Sequence, residues 1–134
     1  MSQPTNDERE QIREQRRQEL LESATSEPAP AEPIYVDGQD HLTEIVDRYD
    51  VVLVDCYADW CGPCQMLDPT IEALAAETDA AVAKVDVDAY PHIAQKLGAR
   101  GVPTLVLYAD GRPAERLVGV QDRATLEELI ESHH

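Results

Sequence analysis

Two stretches, Val51-Val52-Leu53-Val54-Asp55-Cys56-Tyr57 and Ala81-Val82-Ala83-Lys84-Val85-Asp86-Val87, are almost continuously apolar. A strand with one wet face alternates apolar and polar residues, whereas a short unbroken run marks a strand covered on both faces. Such a sheet needs helices above and below it. Leu42, Ile45, Val46 and Tyr49 recur at helical spacing and predict a helix over 41–49. A second helix is expected over 63–78, kinked by Pro69. Ile93, Ala94 and Leu97 mark a short third helix that ends at Gly98. Further strands are expected over 34–36, 104–108 and 116–120, with Asp110-Gly111 as a hairpin turn, and a last helix over 125–131. The order β-α-β-α-β-α-β-β-α predicts an α/β fold, a mixed β-sheet flanked by helices on both faces. No internal repeat interrupts this alternation.

The chain of 134 residues is long enough for one domain with a true core, and that domain is expected to span 34–134. Residues 1–33 form a different kind of segment. Their first part is charged, with Glu10/Arg13 and Glu14/Arg17 at helical neighbour spacing. Its few apolar residues, Ile12, Leu20 and Leu21, make no buried stripe. Ser23 to Pro33, SATSEPAPAEP, reads as a flexible linker. The extension is expected to be disordered or a frayed solvent helix, with docking to a partner as the alternative.

Asp and Glu number 27 against 11 Lys and Arg, a formal charge of −16. Phosphates would be repelled, so nucleic acid is not expected as a partner. The acids continue beyond residue 34, and only Lys84 and Lys96 are lysines. A dispersed, lysine-poor acidic surface suits high salt, where repulsion is screened; an ordinary acidic cytosolic protein is the alternative. The start, MSQPTNDEREQ, has no apolar signal-peptide core, no hydrophobic segment follows Arg16-Arg17, and no apolar run reaches membrane-span length. The expected location is the cytoplasm, without membrane attachment.

Three cysteines do not make a disulfide framework. Cys61 and Cys64 sit in Ala58-Asp59-Trp60-Cys61-Gly62-Pro63-Cys64, where a buried strand passes into a helix. Two cysteines so spaced can hold half a zinc site, close a static disulfide or do redox chemistry. A structural zinc site wants four ligands, and beyond this pair only Cys56 and four scattered histidines remain. Residues three apart on a helix face the same way, which brings the sulfurs within disulfide reach. Cys61 falls at the helix start, where unpaired N–H groups and the helix dipole favour the thiolate, the attacking species. Gly62 leaves room above the sulfurs, and Pro63 suits a first helical turn. Trp60 offers a flat apolar surface beside the nucleophile, or is a partly buried core residue.

Asp55 is the second clue, because a carboxylate inside an apolar strand is costly. Burial should raise its pKa toward neutrality and fit it for proton transfer. Lys84 lies in the other apolar strand, so the two would meet if the strands are neighbours. Asp55 and Lys84 are then a proton-handling pair or a buried ion pair kept for specificity. Cys56 follows Asp55 and should point to the opposite sheet face, buried and paired with neither Cys61 nor Cys64.

The pieces VDCYADWCGPC, AKVDVD, GARGVPTLVLYADGR and Val118-Gly119, in this order and spacing, resemble the thioredoxin family over about 34–132. The resemblance implies a thioredoxin-like fold and a thiol–disulfide oxidoreductase that reduces disulfides in target proteins. Cys61 would attack and Cys64 resolve, with Asp55 the buried acid serving Cys64 and Lys84 tuning it. Pro103 would be a cis-proline facing the disulfide, and Thr104 would open the next strand. Trp60, Gly62, Pro63, Val102 and Gly119 would line the substrate groove. The implied partners are disulfide-containing proteins and a thioredoxin-reductase-type donor. The chain would act as a monomer with no cofactor beyond its own disulfide. The alternatives are a dedicated oxidant or isomerase, and a scaffold that keeps the fold only to bind. The chain departs from the family in three ways: Cys56 and Tyr57 stand where aromatic residues are frequent, Gln65 stands where a base is frequent, and residues 1–33 have no counterpart in the minimal fold.

Overall fold

The computed structural model describes residues 5–25 and 28–134. Helix α1 (Asn6–Thr25) comes first. It is followed by β1 (Ile34–Tyr35), α2 (Gln39–Arg48), β2 (Val51–Tyr57), α3 (Gly62–Glu77), β3 (Ala81–Asp86), α4 (Pro91–Leu97), β4 (Thr104–Ala109), β5 (Arg112–Val118) and α5 (Arg123–Ser132). The strands form one sheet in the order β1-β3-β2-β4-β5. β1 and β2 run parallel to β3, while β4 is antiparallel to both β2 and β5. The two apolar runs are thus the two central neighbours, as their lack of alternation demands.

Each sheet face carries its own core. Val52, Val54 and Cys56 of β2, with Ala81, Ala83 and Val85 of β3, pack on Leu42, Ile45 and Val46 of α2 and Ile93 and Leu97 of α4. The alternate residues Val51, Leu53 and Val82 pack on Leu67, Ile71 and Leu74 of α3 and Leu126 and Ile130 of α5. Asp55 shares the second face, so it lies under the helix that carries Cys64. Cys56 points the other way, is fully buried and is unpaired.

Pro69 lies inside α3, and the helix continues on both sides of it. The strand expected from residue 116 begins at Arg112. Pro113 hid it, since proline donates no ladder hydrogen bond. β5 is an edge strand, and Ala114 is an extra residue opposite the Leu107/Tyr108 step, a bulge next to Pro113. Asp110 and Gly111 join β4 to β5 with φ of 53° and 80°, the two positive angles of a tight hairpin turn. Gly98 closes α4 at φ 72°, and the Arg116 guanidinium packs so closely there that a Cβ would lie 3.0 Å from it.

Residues 6–17 of α1 are exposed, Ile12 among them. Ala29, by contrast, packs against the core beside α2. Among the described residues no helix is long and apolar enough to cross a membrane.

Candidate active site

The buried strand β2 fixes where the cysteines stand. It ends at Tyr57, and the loop Ala58-Asp59-Trp60 leads into α3. The N–H of Cys61 donates to the Ala58 carbonyl at 3.1 Å, which closes this turn. Cys61 is the N-cap of α3, with extended backbone angles, and Pro63 occupies the first turn. Cys61 and Cys64 are disulfide-bonded, with 5.3 Å between their Cα atoms. The Cys64 N–H donates to the Cys61 Sγ at 3.1 Å. That donor belongs to the unpaired first turn of a helix, and it would stabilise a thiolate on Cys61 once the bond opens. Both cysteines are nearly covered, with 3% exposure each. Ala58 and the partly buried Tyr57, Val87 and Val102 enclose them. Gly62 and Pro63 form the exposed rim. A Cβ on Gly62 would meet nothing within 4 Å, so this part of the rim is open to solvent.

The core reading of Trp60 does not hold. The ring is 71% exposed, and its Nε1–H donates to the Asp88 carboxylate at 2.8 Å. Asp88 is itself held in the turn after β3, where its N–H donates to Asp86. The ring is therefore an apolar surface beside the disulfide, fixed at its polar edge.

The Val102–Pro103 peptide bond is cis. Val102 packs on the cysteine cluster, and Thr104 begins β4 with its hydroxyl donating to the Gly101 carbonyl at 2.6 Å. The Gly119 N–H donates to the Pro103 carbonyl at 2.9 Å, which brings the end of β5 against the same loop. Trp60, the 61–64 turn, Val102–Pro103 and Gly119 thus converge from three separate parts of the chain.

Asp55 is 1% exposed, and neither carboxylate oxygen has a hydrogen-bond partner. Burial pushes its pKa from 3.8 up to about 6, against the opposing pull of Lys84 and with some help from the charge on Asp68. Lys84 is its register partner across β2 and β3. The expected contact between them is nevertheless replaced by another. The Lys84 Nζ donates to Asp68 of α3 at 2.8 Å and lies 4.6 Å from the centre of the Tyr57 ring. Burial is the largest influence on the Lys84 ammonium and works against it, but the hydrogen bond to Asp68 and the charges of Asp68, Asp55 and Tyr35 together hold its pKa above the ordinary value. Cys56, on the other face, has its thiol pushed up to about 12 by burial and then by the charge of Asp55. It is a small buried hydrophobe rather than a nucleophile.

Asp68 and Asp88 were not singled out by the sequence. Asp68 had a signal, since it lies four residues after Cys64 and so on the same helix face. Asp88 had none, because its partner Trp60 is 28 positions away. Among the described residues no group of three or more His, Cys, Asp or Glu is placed to hold a metal ion. What the arrangement can do is open and close one disulfide at the end of a helix that covers a buried carboxylate of raised pKa.

Comparison with known proteins gives the same picture. The family model for thioredoxin matches residues 32–132. A thioredoxin of Chlamydia muridarum is 43% identical over 101 residues, which is 75% of this chain and 98% of that protein. A solved structure of a mutant thioredoxin from Halobacterium salinarum is 58% identical, with a TM-score of 0.77, and the match covers 78% of this chain and 93% of that one. A thioredoxin structure from Malassezia sympodialis is 31% identical, with a TM-score of 0.69 over 80% of this chain and 94% of its own.

Proposed function

Because the chain belongs to the thioredoxin family and is a thiol–disulfide oxidoreductase, we propose that it works as a reductase, carrying electrons from a reductase-type donor to disulfides in target proteins. Membership of the family implies such targets and such a donor. The observation that carries the exchange chemistry and the roles of the two cysteines is the setting of the pair. Cys61 caps α3 with a backbone donor on its sulfur, and Cys64 lies one turn inside, near a buried carboxylate whose pKa is raised to about 6.

In this reading the Cys61 thiolate attacks one sulfur of a target disulfide. A new S–S bond forms, the target bond breaks, and the departing target thiolate takes a proton from solvent. The Cys64 thiol gives its proton to the Asp55 carboxylate, directly or through water. The Cys64 thiolate then attacks the Cys61 Sγ and releases the second target thiolate. The target has gained two electrons, and Cys61–Cys64 is again a disulfide. That disulfide is the redox group of every step. Trp60, Val102, Pro103 and Gly119 form the groove that receives the target, and Gly62 keeps its floor open. Exposed Val118 extends the apolar rim.

The formal charge of −16 and the 58% identity to a Halobacterium protein support work in high salt; the cytoplasm is the proposed site of action. Catalysed reduction of insulin by dithiothreitol tests the reading. A rate well above background that is lost in Cys61→Ser is expected. A full-length protein with no rate above background at any salt concentration would leave only a binding scaffold.

A further inference from the structure

Two buried strands bring one carboxylate and one ammonium into register, yet they do not pair. Asp55 and Lys84 are Cα partners across β2 and β3, and their side chains share the sheet face under α3. Asp55 has no hydrogen-bond donor on either oxygen. The ammonium has gone to Asp68 instead, at 2.8 Å. Asp68 stands one helical turn after Cys64 and is 40% exposed, so its carboxylate reaches both solvent and the buried lysine. Cys64, Asp68, Lys84, Tyr57 and Tyr35 line a common pocket of about 240 Å³ that opens beside the disulfide.

The groups that face this centre are few. Tyr35 of β1 and Tyr57 of β2 meet edge to face, and their rings lie 5.5 and 4.6 Å from the ammonium. Asp59 borders the pocket from the loop before α3, and Gln65 borders it from α3 itself. Across β4 the register partner of Asp55 is the apolar Leu105. The tyrosine faces attract the cation but supply no negative charge. Among the described residues Asp68 is therefore the one carboxylate bonded to Lys84, and it competes directly with Asp55.

We propose that Asp68 is a positioning residue of the reaction: it holds the Lys84 ammonium in the pocket beside Cys64 and so leaves the Asp55 carboxylate without a direct ion pair. Two carboxylates share one cation, and the solvent-reaching one takes it. Asp55 then keeps its proton to higher pH than an ion-paired carboxylate would, and it accepts the Cys64 proton as a stronger base. This consequence for catalysis rests on Asp55 being the proton acceptor of Cys64.

The test is a carbon-13 titration of the Asp55 side-chain carboxyl in the oxidised full-length protein, beside the pH profile of insulin reduction. Asp68→Asn removes both the direct repulsion that Asp68 exerts on Asp55 and the charge that holds Lys84. The ammonium then turns to Asp55 and the Asp55 midpoint falls by about one pH unit, the effect of a close opposite charge. In a Lys84→Met background, where no ammonium can turn, the same substitution moves the midpoint far less, and an equal fall there overturns the proposal. The acid limb of the activity profile moves down with it. Asp68→Glu keeps the carboxylate and restores most of the wild-type midpoint. An Asp55 midpoint that stays at its wild-type value in Asp68→Asn overturns the proposal, and so does an equal fall in Asp68→Glu. A midpoint that falls while the activity profile stays fixed supports the control of Asp55 by Asp68 and counts instead against Asp55 as the proton acceptor.

Discussion

A carboxylate without a hydrogen-bond donor, buried beneath the helix of Cys64, costs stability wherever it is charged. Its pKa of about 6 in the fold stands above the ordinary 3.8, so between these values the folded chain binds a proton that the unfolded chain has released. Stability therefore falls as pH rises through this window, and the full cost is present above about pH 6. At about 1.4 kcal/mol per pKa unit the cost near neutrality is about 3 kcal/mol. Asp55→Asn should raise the unfolding free energy at pH 7 by up to that amount, with the difference shrinking toward pH 4. Urea melts across that range check it, and a variant less stable than wild type at pH 7 would contradict it. The same variant should slow reduction near neutrality by up to about a hundredfold, the range of general-base catalysis. Its rate should converge on wild type above about pH 9, where a thiol ionises unaided. A fold that keeps such a residue bears a stability cost at its reactive centre. The roles of the two cysteines separate in a similar way. Cys64→Ser keeps the attacking thiol and loses the resolving one, so it should hold target proteins as mixed disulfides. Cys61→Ser should hold none, and equal adducts from both would reverse the assignment. The motif itself made Cys61, Cys64 and Asp55 legible in the sequence. The partner of Lys84 was not, because Asp68 is 16 positions away and a register between strands does not show which carboxylate an ammonium will choose.

The strands that sequence reading recovered well are those whose pattern is set by burial on both faces. β2 and β3 fall where their apolar runs lie, and α2 follows its helical stripe. β5 is harder to see because it is exposed along most of its length and carries a proline and a bulge, all features of an edge rather than a core strand. The N-terminal segment divides at a similar distinction. The charged sequence of α1 carries no apolar stripe, and residues 5–17 are exposed. Ala29, however, packs on the core and lines a cleft with Tyr49 and Asp50. Deleting residues 1–27 should leave both melting temperature and reductase activity unchanged. Deleting residues 1–33 should cost up to about 1 kcal/mol through lost burial of an Ala-sized group, and still spare activity. Calorimetry of the two truncations decides this. A large fall for the shorter deletion would mean that α1 packs on the domain.

An excess of 27 acidic over 11 basic residues repels itself in dilute buffer, and the folded state suffers more because it is compact. The surface ion pairs do not offset this. Arg48–Glu44 and Arg123–Glu127 are exposed neighbours on single helices, a class of contact that contributes only tenths of a kcal/mol. Arg123 also meets Glu77 and so ties α5 to α3, but it is one cation shared between two acids. Salt is the remaining source of relief. Between about 0.1 and 1 M the Debye length shrinks from about 10 to about 3 Å, so surface acids cease to sense one another. Melting temperature should therefore rise with potassium chloride over this range, by about 4–8 °C for each kcal/mol of repulsion removed. The rise should be nearly the same after deletion of residues 1–33, because the acids continue through the domain that remains. The Asp55 midpoint should move far less, because the carboxylate is shielded from mobile ions and burial is its main cause. Thermal melts of the two chains across a salt series, with the Asp55 titration repeated at both ends, separate the surface effect from the site. A melting temperature that is flat or falling with salt would show that self-repulsion does not limit this fold. A rise confined to the full-length chain would place the repulsion in the extension instead of on the domain.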